Sequence, residues 1–207
     1  MGYVSHATRL VAAAALLGSF AAPAHAVVGY ADVVLEFFNS GASLPGSYGG
    51  IWPTGPFPVA VSPDVVLGPD GDDTQDFLSL SLGSYVTVGF TDEILSDGAG
   101  LAFFVTEVGN GGESANVFVS ADNVTFSLIG IATADHASGF DLASIGFTGP
   151  VQSLRIVGRD NFGTSPGFDL ANIRVVPEPA SWAMMIAGFG LIGVALRRRL
   201  QGAVALA

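Results

Sequence analysis

The chemistry open to this chain rests on carboxylates and a few aromatic rings. The densest acidic run is Asp70-Gly71-Asp72-Asp73-Thr74-Gln75-Asp76. Calcium takes many hard oxygen ligands, and an Asp/Gly turn supplies them from side chain and backbone, so Asp70 and Asp72 are candidate ligands. The run lacks the closing glutamate of an EF-hand, and a solvated acidic loop ahead of a strand explains the same residues. Glu107 sits inside an apolar stretch. A buried carboxylate must find a partner, a metal or a proton; an ion pair with Arg155 and a metal are both open to it. Trp52 and Tyr48 lie in a Gly/Pro-rich segment. Such rings stack on the C–H faces of sugars, and they equally cover the open end of a sandwich.

Enzyme signals are poor. A Ser-His-Asp hydrolase would have to use His136, but Ala134-Asp135-His136-Ala137-Ser138-Gly139 reads as a loop, and no Gly-x-Ser-x-Gly elbow exists. A zinc site would lack a second histidine or any cysteine. Two carboxylates suffice for glycoside hydrolysis, but nothing marks such a pair. Gly109-Asn110-Gly111-Gly112 has no accompanying lysine and is not a phosphate loop. The expectation is a non-catalytic protein.

The chain has 207 residues and no cysteine, so it forms neither disulfides nor a thiol nucleophile. Seventeen acidic residues between Val27 and Val176 face three arginines, Arg155, Arg159 and Arg174, and there is no lysine. That surface repels nucleic acid and anionic lipid and suits an exported soluble body.

Met1 to Ala26 reads as a secretory signal peptide, with Arg9, an apolar stretch from Leu10 to Phe20, and the Ala24-His25-Ala26 cleavage site. Residues 27–176 read as all-β, one two-sheet sandwich of the jelly-roll form. Turn residues punctuate them every ten positions or so, and no helical period is sustained. Val33–Phe38 is the first strand, and Asn39–Pro58 is a long loop. Phe77–Leu82 alternates, with Leu78, Leu80 and Leu82 on one face. Val86, Val88 and Phe90 face inward from the next strand. Leu101–Val108 reads as a central strand buried on both faces. Asn116–Ser120 and Phe126–Ile131 flank a hairpin turn at Ala121–Thr125. Leu154–Gly158 and Asp169–Val176 close the set.

The C-terminus has its own order of parts. Val176-Pro177-Glu178-Pro179 ends regular hydrogen bonding. Trp182 and Ala183 follow, and an uncharged apolar run makes a transmembrane helix over residues 182–196. Arg197, Arg198 and Arg199 then form a cytoplasmic stop. This order resembles the PEP-CTERM sorting signal in its PEPxxWA variant. The resemblance implies that an exosortase recognises Pro177-Glu178-Pro179 and processes residues 177–207. It also implies a membrane-anchored precursor, then a cell-surface or extracellular product, in a host that makes extracellular polysaccharide.

Within the body, Leu67-Gly68-Pro69-Asp70-Gly71, Val86-Thr87-Val88-Gly89-Phe90, Asp97-Gly98, Val105-Thr106-Glu107, Val117-Phe118-Val119-Ser120-Ala121-Asp122 and Gly167-Phe168-Asp169-Leu170 follow one another. Their order resembles the galactose-binding-like or discoidin-like jelly rolls of bacterial surface proteins. That resemblance implies a structural calcium between the first and last strands, held by Glu36 and Asp169. Ala99, Leu101 and Ala102 depart from the pattern before the central strand, and Asn123 stands where glycine often completes the turn. The expected function is an exported surface or matrix protein, associated with exopolysaccharide or biofilm. A carbohydrate-binding module and a small surface hydrolase are the alternatives.

Overall fold

The computed structural model describes residues 29–69, 75–98, 100–109, 112–134, 137–176 and 188–193. The chain divides into two units, one of them the body Val27–Glu178. Of the other, residues 188–193 are described; they are helical and expose Phe189, Leu191 and Ile192. Among the described residues, no helix is long and apolar enough to cross a membrane. The expected signal peptide, and Pro177, Glu178, Pro179, Trp182, Ala183, Arg197, Arg198 and Arg199, lie outside the described residues, as do Asp70, Asp72 and His136.

The body is all-β. Its strands are β1 (Gly29–Tyr30), β2 (Val33–Phe38), β3 (Tyr48–Trp52), β4 (Val59–Ala60), β5 (Gln75–Leu80), β6 (Tyr85–Gly89), β7 (Phe103–Glu107), β8 (Ser114–Ser120), β9 (Ser127–Thr133), β10 (Ala137–Phe140), β11 (Ser153–Gly158) and β12 (Phe168–Val175). They form two antiparallel sheets. A 7-stranded sheet runs β10-β7-β12-β5-β3-β4, with β1 added alongside β12, and a 5-stranded sheet runs β2-β6-β11-β8-β9. From β5 to β8, and again from β9 to β12, each connection crosses to the opposite sheet.

Alternation along the strands explains the core between the sheets. Leu78 and Leu80 of β5, Val86 and Val88 of β6, Phe103 and Val105 of β7, and Leu154 and Ile156 of β11 are all buried in one cluster. On β12, Phe168, Leu170, Ile173 and Val175 belong to that cluster although Leu170 and Ile173 are three apart. An irregularity between Leu170 and Asn172 resets the alternation. Residues from the other side of this sheet, Phe77 and Ala171, join Val108, Trp52 and Phe57 in a second apolar cluster.

Three expectations are corrected. Tyr48 and Trp52 are in a strand, not a loop: β3 pairs with β5 through Gly49↔Leu78 and Gly50↔Phe77. Ala137, Ser138 and Gly139, expected in a loop, belong to β10 on the edge of the larger sheet. And β7 alternates between buried and half-buried residues, so it is covered fully on one face only. The hairpin turn after β8 is as expected. Asn123 adopts φ 62°, the left-handed conformation that glycine takes most easily and asparagine tolerates. The Asp122 carboxylate accepts from the backbone N–H groups of Val124 and Thr125 at 2.9 and 2.7 Å, and these bonds hold its pKa down to about 2.

Candidate binding pocket

The larger sheet carries a pocket of about 240 Å3 lined by Trp52, Phe57, Gly109, Glu113, Gly163, Thr164, Ser165 and Asp169. Its apolar wall is an aromatic chain. Trp52 and Phe57 have ring centroids 6.0 Å apart, and Phe57 meets Phe77 edge-on at 5.7 Å. Its polar floor is set by loop-to-strand bonds. Val108 N–H donates to the Asp169 carbonyl at 3.0 Å, docking the loop after β7 against β12. Asp160 accepts from the backbone and hydroxyl of Ser114, at 3.0 and 3.1 Å, and so ties the start of β8 to the segment before β12. Glu113, the residue before Ser114, is thereby held against Gly163. A Cβ on Gly163 would fall 2.0 Å from Glu113 Oε1, and its φ of +82° is itself a glycine conformation.

Glu107, Glu113 and Asp169 are 4%, 3% and 8% exposed. Ser79 donates to Asp169 Oδ1. The Ser165 hydroxyl lies 2.7 Å from that of Ser79, so with Ser79 committed to Asp169, Ser165 is the donor between them. Glu113 Oε2 is buried and has no hydrogen-bond partner. Burial, above all, pushes the Glu113 pKa up to about 9; the charge of Asp169 comes next, and the Glu107 carboxyl adds a hydrogen bond and its own charge. Asp169 is raised to about 8 by burial; the Ser79 bond opposes this and Glu107 reinforces it. Both carboxyls are thus pushed toward the protonated form, and charge on Asp169 pushes Glu113 further.

The structure separates residues that the sequence had placed together. Glu36 on β2 and Asp169 on β12 belong to different sheets, so they share no first-to-last-strand site. Glu36 instead accepts from Arg155 at 2.7 Å and from the Tyr85 hydroxyl at 2.7 Å. Arg155 sits on β11, with its guanidinium 4.3 Å from the Tyr85 ring centroid and 4.0 Å from that of Phe126. Its partner is thus Glu36 on the smaller sheet rather than Glu107 on the larger. Tyr48 is buried and donates to the Pro166 carbonyl at 2.6 Å, which fixes it as a brace for the segment that closes the pocket. Trp52 alone of the two expected sugar-facing rings lines the pocket.

Glu113 was missed in the sequence. It follows a glycine run and opens a strand, where an acidic residue is ordinary; only the fold shows it to be enclosed. A second acidic group, Asp32, Asp92 and Glu93, has carboxylate oxygens all within 4.8 Å of one another. Asp32 and Asp92 are exposed, and Asp32 Oδ2 already accepts from the Thr91 backbone and hydroxyl. Burial, followed by the neighbouring Asp92, lifts Glu93 to about 7.

Comparison with known proteins adds the sorting signal. Residues 175–199 match the PEP-CTERM protein-sorting motif. That signal marks an exported protein that an exosortase processes. No curated protein matches the chain. Among solved structures, a glycoside hydrolase family 43 arabinoxylan arabinofuranohydrolase from Bacillus subtilis, in complex with cellotetraose, is similar over 54% of this chain and 23% of its own, at 18% identity and a TM-score of 0.35.

Proposed function

We propose that the mature protein is a non-catalytic β-sandwich of the cell surface or extracellular matrix, associated with exopolysaccharide and contributing to biofilm. The match of residues 175–199 to the sorting motif carries this reading. In it, a signal peptide over residues 1–26 starts export, and a membrane helix over residues 182–196 holds the precursor at the inner membrane until the exosortase acts. Residues 27–176 are the delivered body, and the crossing of its strands between sheets supports the jelly-roll form. Deleting Pro177 to Ala207 is expected to send the body into the medium unprocessed. If truncated and full-length proteins reach the same place, the tail is no address.

The pocket favours carbohydrate as what the body holds. Trp52 and Phe57 offer apolar faces, and Ser165, Thr164 and the protonated carboxyls of Glu113 and Asp169 offer hydroxyl-compatible donors and acceptors. Binding of purified protein to a glycan array, lost on Trp52→Ala, tests the module reading. Binding unchanged in Trp52→Ala would refute this pocket as the sugar site.

A further inference from the structure

We propose that Glu113 and Asp169, with Glu107 beside them, form a divalent-cation site of calcium type in the floor of the Trp52 pocket. Glu113 is 3% exposed, lines the cavity, and leaves Oε2 without any hydrogen-bond donor. Once ionised, an enclosed carboxylate oxygen in that state has lost its hydration and gained nothing in exchange, a cost that a bound cation removes. Among the described residues, Arg155 pairs with Glu36, Arg174 lies over Phe104, and Arg159 donates to Ser114.

The ligand chemistry selects the ion. The pocket offers carboxylates, the Ser165 and Thr164 hydroxyls and backbone, with no histidine or sulfur in its lining. Oxygen-only sites suit calcium and magnesium, and calcium tolerates irregular geometry better. The three carboxylates are not among the groups whose oxygens all lie within 4.8 Å, so an ion would draw them together and tighten the loops bearing Gly109 and Gly163. The Asp32, Asp92 and Glu93 group is better gathered, and Glu93 Oε1 is likewise buried without a partner, but Glu93 is only half-buried, Asp92 is exposed and Asp32 is already bonded to Thr91. The cation site shares Glu113 and Asp169 with the carbohydrate reading but does not rest on it, since the sugar test runs through Trp52 and the cation test through Glu113.

The experiment uses the full chain purified in detergent, stripped with EDTA, and titrated with calcium chloride or magnesium chloride. Calorimetry at pH 7 in two buffers of different ionisation heat should show calcium binding with proton release, because the carboxyls must ionise to bind. Calcium at a hundredfold excess over Kd should raise Tm by about 5–10 °C, and magnesium by less. Glu113→Gln should abolish both responses, and Asp92→Asn should leave them intact. The proposal is overturned if wild-type protein shows no calcium response, if the response survives Glu113→Gln, or if Asp92→Asn removes it. Should Glu113→Gln not fold, proton release in the wild type decides, and calcium binding with heat independent of buffer overturns the site.

Discussion

Raising the pH of the chelated protein should destabilise it, and Asp169 sets the scale. Its carboxyl is 8% exposed, and its pKa in the fold is about 8 against an ordinary value of 3.8. Between those values the native state binds more protons than the unfolded chain. The stabilising contribution is therefore complete below pH 3.8, falls as pH rises, and is lost above about pH 8. At about 1.4 kcal/mol per pH unit, the loss between acid and pH 7 is about 4 kcal/mol. Glu113 is coupled to the same charge cluster, so its contribution overlaps with this rather than adding in full. Urea unfolding of EDTA-treated protein, followed by tryptophan fluorescence at pH 5 and pH 8, measures the difference. Asp169→Asn should flatten the dependence. A chelated wild-type protein more stable at pH 8 than at pH 5 would refute the reasoning.

Other consequences follow from single positions. Gly163→Ala should destabilise the body by at least about 1 kcal/mol, since its φ is +82° and the new methyl would meet Glu113; unchanged urea unfolding would contradict the packing described. The Asp122 carboxyl should titrate near pH 2 by NMR, as its bonds from Val124 and Thr125 require, and an ordinary midpoint would show that the turn is open in solution. Asn123→Gly should raise the urea midpoint slightly, because glycine adopts φ 62° without the cost that a side chain brings; a lowered midpoint would mean that the asparagine side chain itself matters there.

Much of the sandwich was legible because its strands announce themselves by alternation. Leu78 and Leu80, and Val86 and Val88, fall on the core face as their spacing requires. β3 was hidden by its own glycines. Gly49 and Gly50 look like loop residues, yet a Cβ on either would lie 1.9 Å from the Phe77 carbonyl oxygen or 2.4 Å from that of Pro56. They are glycine because other backbone passes too close for anything larger. The candidate site was legible only in pieces. Asp169 and Trp52 stood out singly, but their meeting depends on β3, β5 and β12 lying side by side. Glu36 was assigned to Asp169 by a resemblance, and the separation of β2 and β12 into different sheets undoes that pairing. Glu113 has no local signature, since enclosure is a property of the three-dimensional neighbourhood.

The pairing of β1 with β12 has a geometric outcome. Gly29 faces Val175 and Tyr30 faces Arg174, so the first and last strands leave the sandwich at one pole. Asp169 lies at the other end of β12, about 20 Å away at the rise of an extended strand. The start of β1 and the end of β12 therefore lie together at one pole of the body, the far end of β12 from Asp169.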